Sequence, residues 1–154
     1  MPTILVINGP NLNNLGRRDA SHYGTITLPE IEREIAARAE ALGMDVSCFQ
    51  SNHEGAIVDF IQEHAPTAQG IVINPAALTG VGYSITDALL DCGLPTIEVH
   101  LSNIHAREEF RRHSVVGPIA TGQVAGLGWQ GYLYALEHLS VLLAEVRPSN
   151  VPAG

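Results

Sequence analysis

The feature that most constrains the fold is a regular alternation of short β-rich runs with amphipathic helical runs. Apolar residues at helical spacing follow the strands, and these helical runs end at Gly43, Pro66, Gly93 and Pro148. Parallel neighbouring strands need a crossover connection, which these helical runs supply. The predicted strands, rich in Val and Ile, are Thr3–Asn8, Asp45–Gln50, Gly70–Asn74 and Thr96–His100, with a fifth around Ile119–Ala125.

This rhythm predicts an α/β fold, in which helices cover both faces of a parallel sheet. We expect a flavodoxin-like three-layer sandwich whose five-stranded parallel sheet has the order 2-1-3-4-5. The 154 residues, 45% of them apolar, suffice for one core. We therefore predict a single domain over residues 1–146 and a loose tail over residues 147–154, which are rich in Pro and small side chains.

Composition excludes several classes of protein. A formal charge of −8 repels phosphate backbones, so no nucleic-acid partner is expected. All 8 basic residues are Arg, and without Lys the chain cannot be a Schiff-base lyase, a pyridoxal-phosphate enzyme or a P-loop nucleotidase. The apolar stretches are shorter than the roughly 20 residues of a membrane span, and no basic leader opens the sequence. We expect a cytoplasmic protein with no membrane partner.

Polar side chains follow three of the predicted strands where each strand ends. The first strand runs into Asn8 and Asn11, the third into Asn74, and the fourth into His100 and Ser102. Ligands of open α/β sheets bind beyond the carboxyl ends of the strands, near the switch point, which here lies between the first and third strands. The sequence therefore predicts a small-molecule site at this edge.

His100 and Glu98 are two residues apart on one strand, so their side chains lie on the same face. A carboxylate beside an imidazole selects its tautomer and supports its protonated form, which suits a general acid. A metal site is not predicted, because His100 and His105 have no third His or Cys at ligand spacing.

The connection from Gly9 to Thr25 is far longer than the about 2–6 residues usual for such loops, and this length suggests a lid. It contains Tyr23 and Arg18, and a nearby guanidinium favours the phenolate form of tyrosine. Tyr23 can therefore act as a base. The alternative is a surface loop with a half-buried tyrosine and solvated arginines.

The charged run from Arg107 to His113 also permits two interpretations. Such runs usually form a solvated face. This one directly follows Ser102 and Asn103, so an arginine at either end could turn inward over the site and bind a carboxylate or a hydroxyl.

Taken together, the motifs of this chain resemble type II 3-dehydroquinate dehydratase from Thr3 to about Glu145. The matching segments are Ile7–Leu12, Gly16–Arg18 with Tyr23–Gly24, Gln50–Gly55, Ile97–Asn103 with His105–Glu108, and Gly126–Gly128 with Gln130–Tyr132.

The resemblance implies a lyase that removes water from 3-dehydroquinate by anti elimination through an enolate, without Schiff base, metal or cofactor. It makes Tyr23 the base, with its pKa lowered by Arg18, and makes Asn11 the holder of a water that steadies the enolate. His100 becomes the acid, oriented by Glu98.

The substrate is then a small carboxylic acid. The resemblance gives its carboxylate to Asn74, Ser102 and the Leu101–Ser102 backbone, and a ring hydroxyl to Arg111. Family members are typically homododecamers, in which Asp87 reaches a neighbouring subunit's site. The full set of implied substrate-binding residues is Asn74, Ala77, Gly80, Asp87, Leu101, Ser102, Arg107 and Arg111.

One segment, from Ala76 to Thr86, departs from the family pattern. Gly80 replaces a histidine that helps to bind ring hydroxyls, Gly82 replaces a serine, and Thr86 replaces an arginine. Two glycines would also loosen the loop. Either Tyr83, Ser84 or a water substitutes for the lost imidazole, or the chain acts on another β-hydroxy carbonyl acid. A catalytically silent binding homologue is a third interpretation.

Overall fold

The computed structural model describes residues 1–17, 21 and 24–146 of the chain. Five strands alternate with four long helices in this part of the chain, and short 3-10 turns occupy the connections. The strands are β1 (Thr3–Asn8), β2 (Asp45–Gln50), β3 (Gly70–Asn74), β4 (Thr96–His100) and β5 (Gly122–Ala125). The helices are α1 (Leu28–Ala41), α2 (Glu54–His64), α3 (Tyr83–Cys92) and α4 (Gln130–Val146).

All neighbouring strands are parallel, and their order is β2-β1-β3-β4-β5. This confirms the predicted flavodoxin-like α/β fold and its strand order. The fifth strand is shorter than predicted, because residues 117–119 form a 3-10 turn before it.

Two apolar layers enclose the sheet, because successive side chains of a strand point to opposite faces. Ile4 and Val6 of β1 pack into the layer that includes α1 and α4, whereas Leu5 and Ile7 pack against α2 and α3. Each fully buried side chain of this kind contributes about 1.5–3 kcal/mol to folding. The central strands are therefore buried on both faces. In β1 and β3 the polar residues are confined to the strand ends, whereas β4 carries the buried Glu98 at its middle.

The side chain of Tyr132 ties together the carboxyl ends of β1 and β3. Its hydroxyl donates to Asn8 Oδ1 at 2.5 Å and accepts from Asn74 Nδ2 at 3.1 Å. All three residues are buried, and burial raises the pKa of Tyr132 far above its usual value. The side-chain oxygen of Asn74, Oδ1, also accepts a hydrogen bond from the Ala76 backbone N–H at 3.1 Å. Helix α4 thus sets the orientation of a side chain at the predicted site.

Gly9 allows the chain that leaves β1 to cross close to the end of β3. Its backbone N–H donates to the Asn74 carbonyl at 2.8 Å. A Cβ atom at this position would lie 2.4 Å from the carbonyl oxygen of Pro75, which is backbone and has little room to move. Only glycine permits this approach.

No helix in the described part of the chain is both long and apolar enough to cross a membrane.

Replacing Gly9 by alanine tests this close approach. Because the methyl group would overlap the Pro75 carbonyl, Gly9→Ala should lower the free energy of unfolding by about 1–3 kcal/mol, the usual cost of overpacking. The matched control is Gly55→Ala on α2, where a Cβ meets nothing within 4 Å and alanine favours the helix. Urea denaturation measures both. Equal stability of the two variants would contradict the packing argument.

Removing the hydroxyl of Tyr132 tests the tie between β1 and β3. Tyr132→Phe leaves Asn8 Oδ1 without its donor and Asn74 Nδ2 without its acceptor, which should cost about 1–3 kcal/mol of stability. Tyr134→Phe, on the same helix but 49% exposed, should change the unfolding free energy by less than about 0.5 kcal/mol. A Tyr132→Phe variant as stable as this control would refute the tie.

Candidate active site

A cleft with a cavity volume of about 140 Å³ opens at the carboxyl ends of β1, β3 and β4. It lies where the strand order predicted a site. Among its lining residues, those that the sequence analysis had predicted are Asn11, Asn74, Ala77, Gly80, His100, Leu101, Ser102, Arg107 and Arg111. Those it had not predicted are Pro10, Leu12, Ala76, Thr79, Ile104 and Phe110.

Glu98 and Asp87 were also predicted site residues, but they do not line the cleft. Glu98 stands directly behind His100 and has no solvent exposure. Asp87 is exposed on α3 and does not line the cleft. Tyr23 and Arg18 lie outside the described residues.

His100 is the buried titratable side chain of the cleft. It is 5% exposed, and its Nε2 lies 2.5 Å from Glu98 Oε2. The two residues project from the same face of β4, as predicted. Because Nε2 is engaged by the carboxylate, Nδ1 is the ring nitrogen left for a molecule in the cleft. This arrangement allows the imidazole to transfer a proton there.

The Glu98 carboxylate has two further donors that sequence reasoning missed. Ser114 Oγ lies 2.9 Å from each carboxylate oxygen, and Gln123 Nε2 donates to Oε1 at 2.8 Å. Burial raises the pKa of Glu98, but hydrogen bonds from His100, Gln123 and Ser114 outweigh it, so that the pKa is below its usual value. Glu98 is therefore an anion at neutral pH. The sequence does contain a signal for Gln123, because it is a polar residue in a short strand of otherwise small or apolar residues.

Asn74 and Arg107 supply further hydrogen-bond donors to the cleft. Asn74 has one amide proton on Tyr132, and because an amide nitrogen carries two, the second can serve a ligand. Arg107 turns inward, as one interpretation of the charged run predicted, and its Nη1 donates to Ser102 Oγ at 3.3 Å. A fixed positive charge beside a hydroxyl and an amide is suited to binding a carboxylate.

Arg111 and Phe110 stand at the mouth of the cleft. Arg111 Nε donates to the Glu108 carboxylate, and its guanidinium carbon lies 4.7 Å from the centre of the Phe110 ring. The hydrogen bond from Arg111 keeps the pKa of Glu108 below its usual value. Arg111 therefore forms an ion pair with Glu108 at the rim.

Asn11 lies at the start of the connection that leaves β1. It adopts a left-handed backbone (φ 68°), which asparagine tolerates better than most residues. Its N–H donates to Asn52 Oδ1 at 2.9 Å, so the backbone is anchored while the side chain remains exposed at the cleft.

The divergent segment from Ala76 to Thr86 is packed closely against the segment from Phe110 to Val116. A Cβ at Gly80 would lie 3.3 Å from the His113 carbonyl oxygen and 3.5 Å from that of Phe110. The Val115 N–H donates to the Thr79 carbonyl at 2.8 Å, and Thr86 Oγ1 donates to the Val115 carbonyl at 2.9 Å. Gly80 therefore has a packing role that the sequence analysis did not predict, because it permits a close backbone contact.

The two side chains suggested as replacements for the lost imidazole do not line the cleft. Tyr83 is 63% exposed, and the Ser84 hydroxyl donates to Glu54. Thr79 and Phe110 line the cleft in this region instead. The prediction that Tyr83 or Ser84 takes the place of the imidazole was therefore wrong.

No group of three or more His, Cys, Asp or Glu side chains among residues 1–17, 21 and 24–146 is arranged to hold a metal ion.

Comparison with known proteins places the chain in a family. The family model "Dehydroquinase class II" matches residues 2–140. A 3-dehydroquinate dehydratase of Roseiflexus castenholzii is 56% identical over 136 residues, which are 88% of this chain and 87% of that protein. The "Catabolic 3-dehydroquinase 1" of Aspergillus terreus is 50% identical over 149 residues, 97% of this chain and 98% of that protein.

A solved structure agrees with these sequence matches. The type II dehydroquinase of Propionibacterium acnes superimposes with a TM-score of 0.88 at 45% sequence identity, covering 92% of this chain and 97% of that one. The chain therefore belongs to the dehydroquinase class II family.

Proposed function

We propose that this protein is a hydro-lyase that converts 3-dehydroquinate to 3-dehydroshikimate by anti elimination through an enolate. The observation that carries the proposal is a buried His100–Glu98 pair facing a cleft that also holds Asn74, Ser102 and Arg107. The name of the Roseiflexus relative, 3-dehydroquinate dehydratase, supports the choice of substrate.

Two groups on opposite sides of the substrate ring perform the proton transfers. The Tyr23 phenolate removes the proton α to the ketone, and Arg18 stabilises that phenolate by its charge. The electron pair of the broken C–H bond forms the enolate. Tyr23 and Arg18 are outside the described residues, so their roles rest on their chemistry and on the family motif.

The second step breaks the carbon–oxygen bond. The enolate electrons return to form the new carbon–carbon double bond, and the departing hydroxyl takes a proton from His100 and leaves as water. Glu98 acts through His100, because its negative charge stabilises the imidazolium that must form before each turnover. Asn11, exposed at the cleft, holds the water that donates to the enolate oxygen.

The remaining polar groups of the cleft orient the substrate. Asn74, Ser102 and the Leu101–Ser102 backbone bind the carboxylate, and Arg107 places a positive charge next to Ser102. Arg111 binds a ring hydroxyl at the mouth, near Ala77 and Gly80, which shape the wall without donating side-chain hydrogen bonds. The relatives do not favour another β-hydroxy carbonyl substrate over 3-dehydroquinate, nor a silent binding role.

We also propose the larger context of this enzyme. Residues 1–146 form one catalytic domain, and the tail that the sequence predicts over residues 147–154 lies outside the described residues. The protein works in the cytoplasm without a cofactor, and it assembles as a homododecamer. The exposed position of Asp87 outside its own cleft is consistent with a contact to a neighbouring subunit's site.

Tyr23→Phe tests the base. Without the phenol hydroxyl there is no group to remove the α-proton, and turnover of 3-dehydroquinate should fall by about 100- to 10,000-fold. The measurement is the ultraviolet absorbance of the conjugated enone product. Tyr134→Phe should keep the wild-type rate. A near-normal rate for Tyr23→Phe would remove tyrosine from the mechanism, and no absorbance rise with wild-type protein would refute the proposed substrate.

Gly80→His tests how the divergent wall works. Any side chain at Gly80 requires the His113 carbonyl to yield by a few tenths of an ångström, and an imidazole adds further atoms beside the segment that carries Arg111. We expect Gly80→His to lower kcat/KM for 3-dehydroquinate by roughly 10-fold, equivalent to about 1.4 kcal/mol. Gly80→Ala, which adds one methyl group, should retain most of the activity. A higher kcat/KM for Gly80→His would show that the lost imidazole had not been compensated.

A further inference from the structure

The buried carboxylate of Glu98 is surrounded by donors on every side. Oε2 faces His100 Nε2 at 2.5 Å, Oε1 accepts from Gln123 Nε2 at 2.8 Å, and Ser114 Oγ lies 2.9 Å from both oxygens. A carboxylate with no solvent exposure is costly unless its lone pairs are used in this way. Each oxygen therefore has an assigned partner.

The direction of the Ser114 hydroxyl proton is determined by a second contact. Ser114 Oγ accepts a hydrogen bond from the Gly117 backbone N–H at 2.8 Å. A serine hydroxyl has one proton to donate, and with this lone pair occupied the proton is directed to Glu98. Ser114 therefore contributes a donor at this position.

The position of Gln123 is set by the sheet. Gln123 on β5 is the register partner of Glu98 on β4, so the two side chains start from adjacent points. Gln123 is exposed at the edge of the sheet, but its side-chain amide turns inward over Gly117. A Cβ at Gly117 would lie 2.7 Å from Gln123 Nε2 and 3.3 Å from Ser114 Oγ. The absence of a side chain at Gly117 makes room for both donors.

We infer that Ser114 and Gln123 are positioning residues, which hold the Glu98 carboxylate in the orientation that places the His100 proton on Nε2 and leaves Nδ1 facing the cleft. The inference rests on the proposed role of His100 as the acid. It assigns a function to two side chains that do not line the cleft.

The physical consequence follows from the burial of Glu98. Without the two donors, the carboxyl group is pushed toward its neutral form or rotates. A neutral carboxyl donates to Nε2 rather than accepting from it, and the ring proton then moves to Nδ1. A histidine in that state loses the adjacent negative charge that supports its imidazolium.

Kinetics of single variants provide the first test. Gln123→Leu and Ser114→Ala should each lower kcat for 3-dehydroquinate by roughly 10-fold, the loss of one hydrogen bond to a charged group, with KM changed by less than about two-fold. Ser114→Thr, which keeps the hydroxyl, should restore most of kcat. Gly117→Ala should resemble Gln123→Leu, because it displaces the donors without deleting them. The control Gln62→Leu, on exposed α2 surface, should leave both constants unchanged.

The tautomer of His100 provides a test that does not depend on turnover. In protein labelled with 15N-histidine, at a pH where the ring is neutral, NMR should show Nε2 protonated in the wild type and a mixture of tautomers in Ser114→Ala/Gln123→Leu. An unchanged tautomer in that double variant would overturn the inference, as would wild-type kcat in both single variants. If the double variant changes the tautomer but the wild-type protein does not turn over 3-dehydroquinate, the positioning role is supported and the proposed function is refuted.

Discussion

The register of β1 against β3 is the constraint on which the site depends. Parallel pairing places Asn8 beside Asn74 at the carboxyl ends of β1 and β3. Two features keep these strand ends together beyond the last hydrogen bond of the ladder. Gly9 lets the chain cross the Pro75 carbonyl, and Tyr132 joins the two asparagines from α4. A shift of either strand by one residue would turn its asparagine to the opposite face, away from Tyr132.

On β4, the neighbour of β3, the site depends on how a buried charge is stabilised. Glu98 has no solvent exposure, and an isolated charge in that position would be protonated at neutral pH. Ser114, Gln123 and His100 supply enough donors to keep the carboxylate charged. The buried pair is thus useful only as a complete network, since a partly satisfied one would leave an unpaired group in a region of low dielectric.

The segment that departs from the family pattern shows how a lost side chain can be part of a coherent change. Gly80 removes a potential ligand to the substrate, but it also allows the Phe110 and His113 carbonyls to come close. Thr86 contributes a hydrogen bond to the Val115 carbonyl, and Val115 donates to Thr79. The wall of the cleft therefore consists of two segments joined by main-chain contacts, and Phe110 fills part of the mouth.

The sequence by itself determined the α/β class, the strand order, the edge at which the site lies, and the pairing of Glu98 with His100. These follow from local patterns: apolar periodicity defines each element, and the two-residue spacing on a strand places two side chains on one face. Only the tertiary structure decided that Tyr132 joins Asn8 to Asn74 and that Ser114 and Gln123 surround Glu98. It also decided that the space beside Gly80 is occupied by neighbouring backbone. Those contacts join residues far apart in the chain, and their distances depend on the register of β5 and the paths of the loops, which are set by packing of the whole domain rather than by any local pattern.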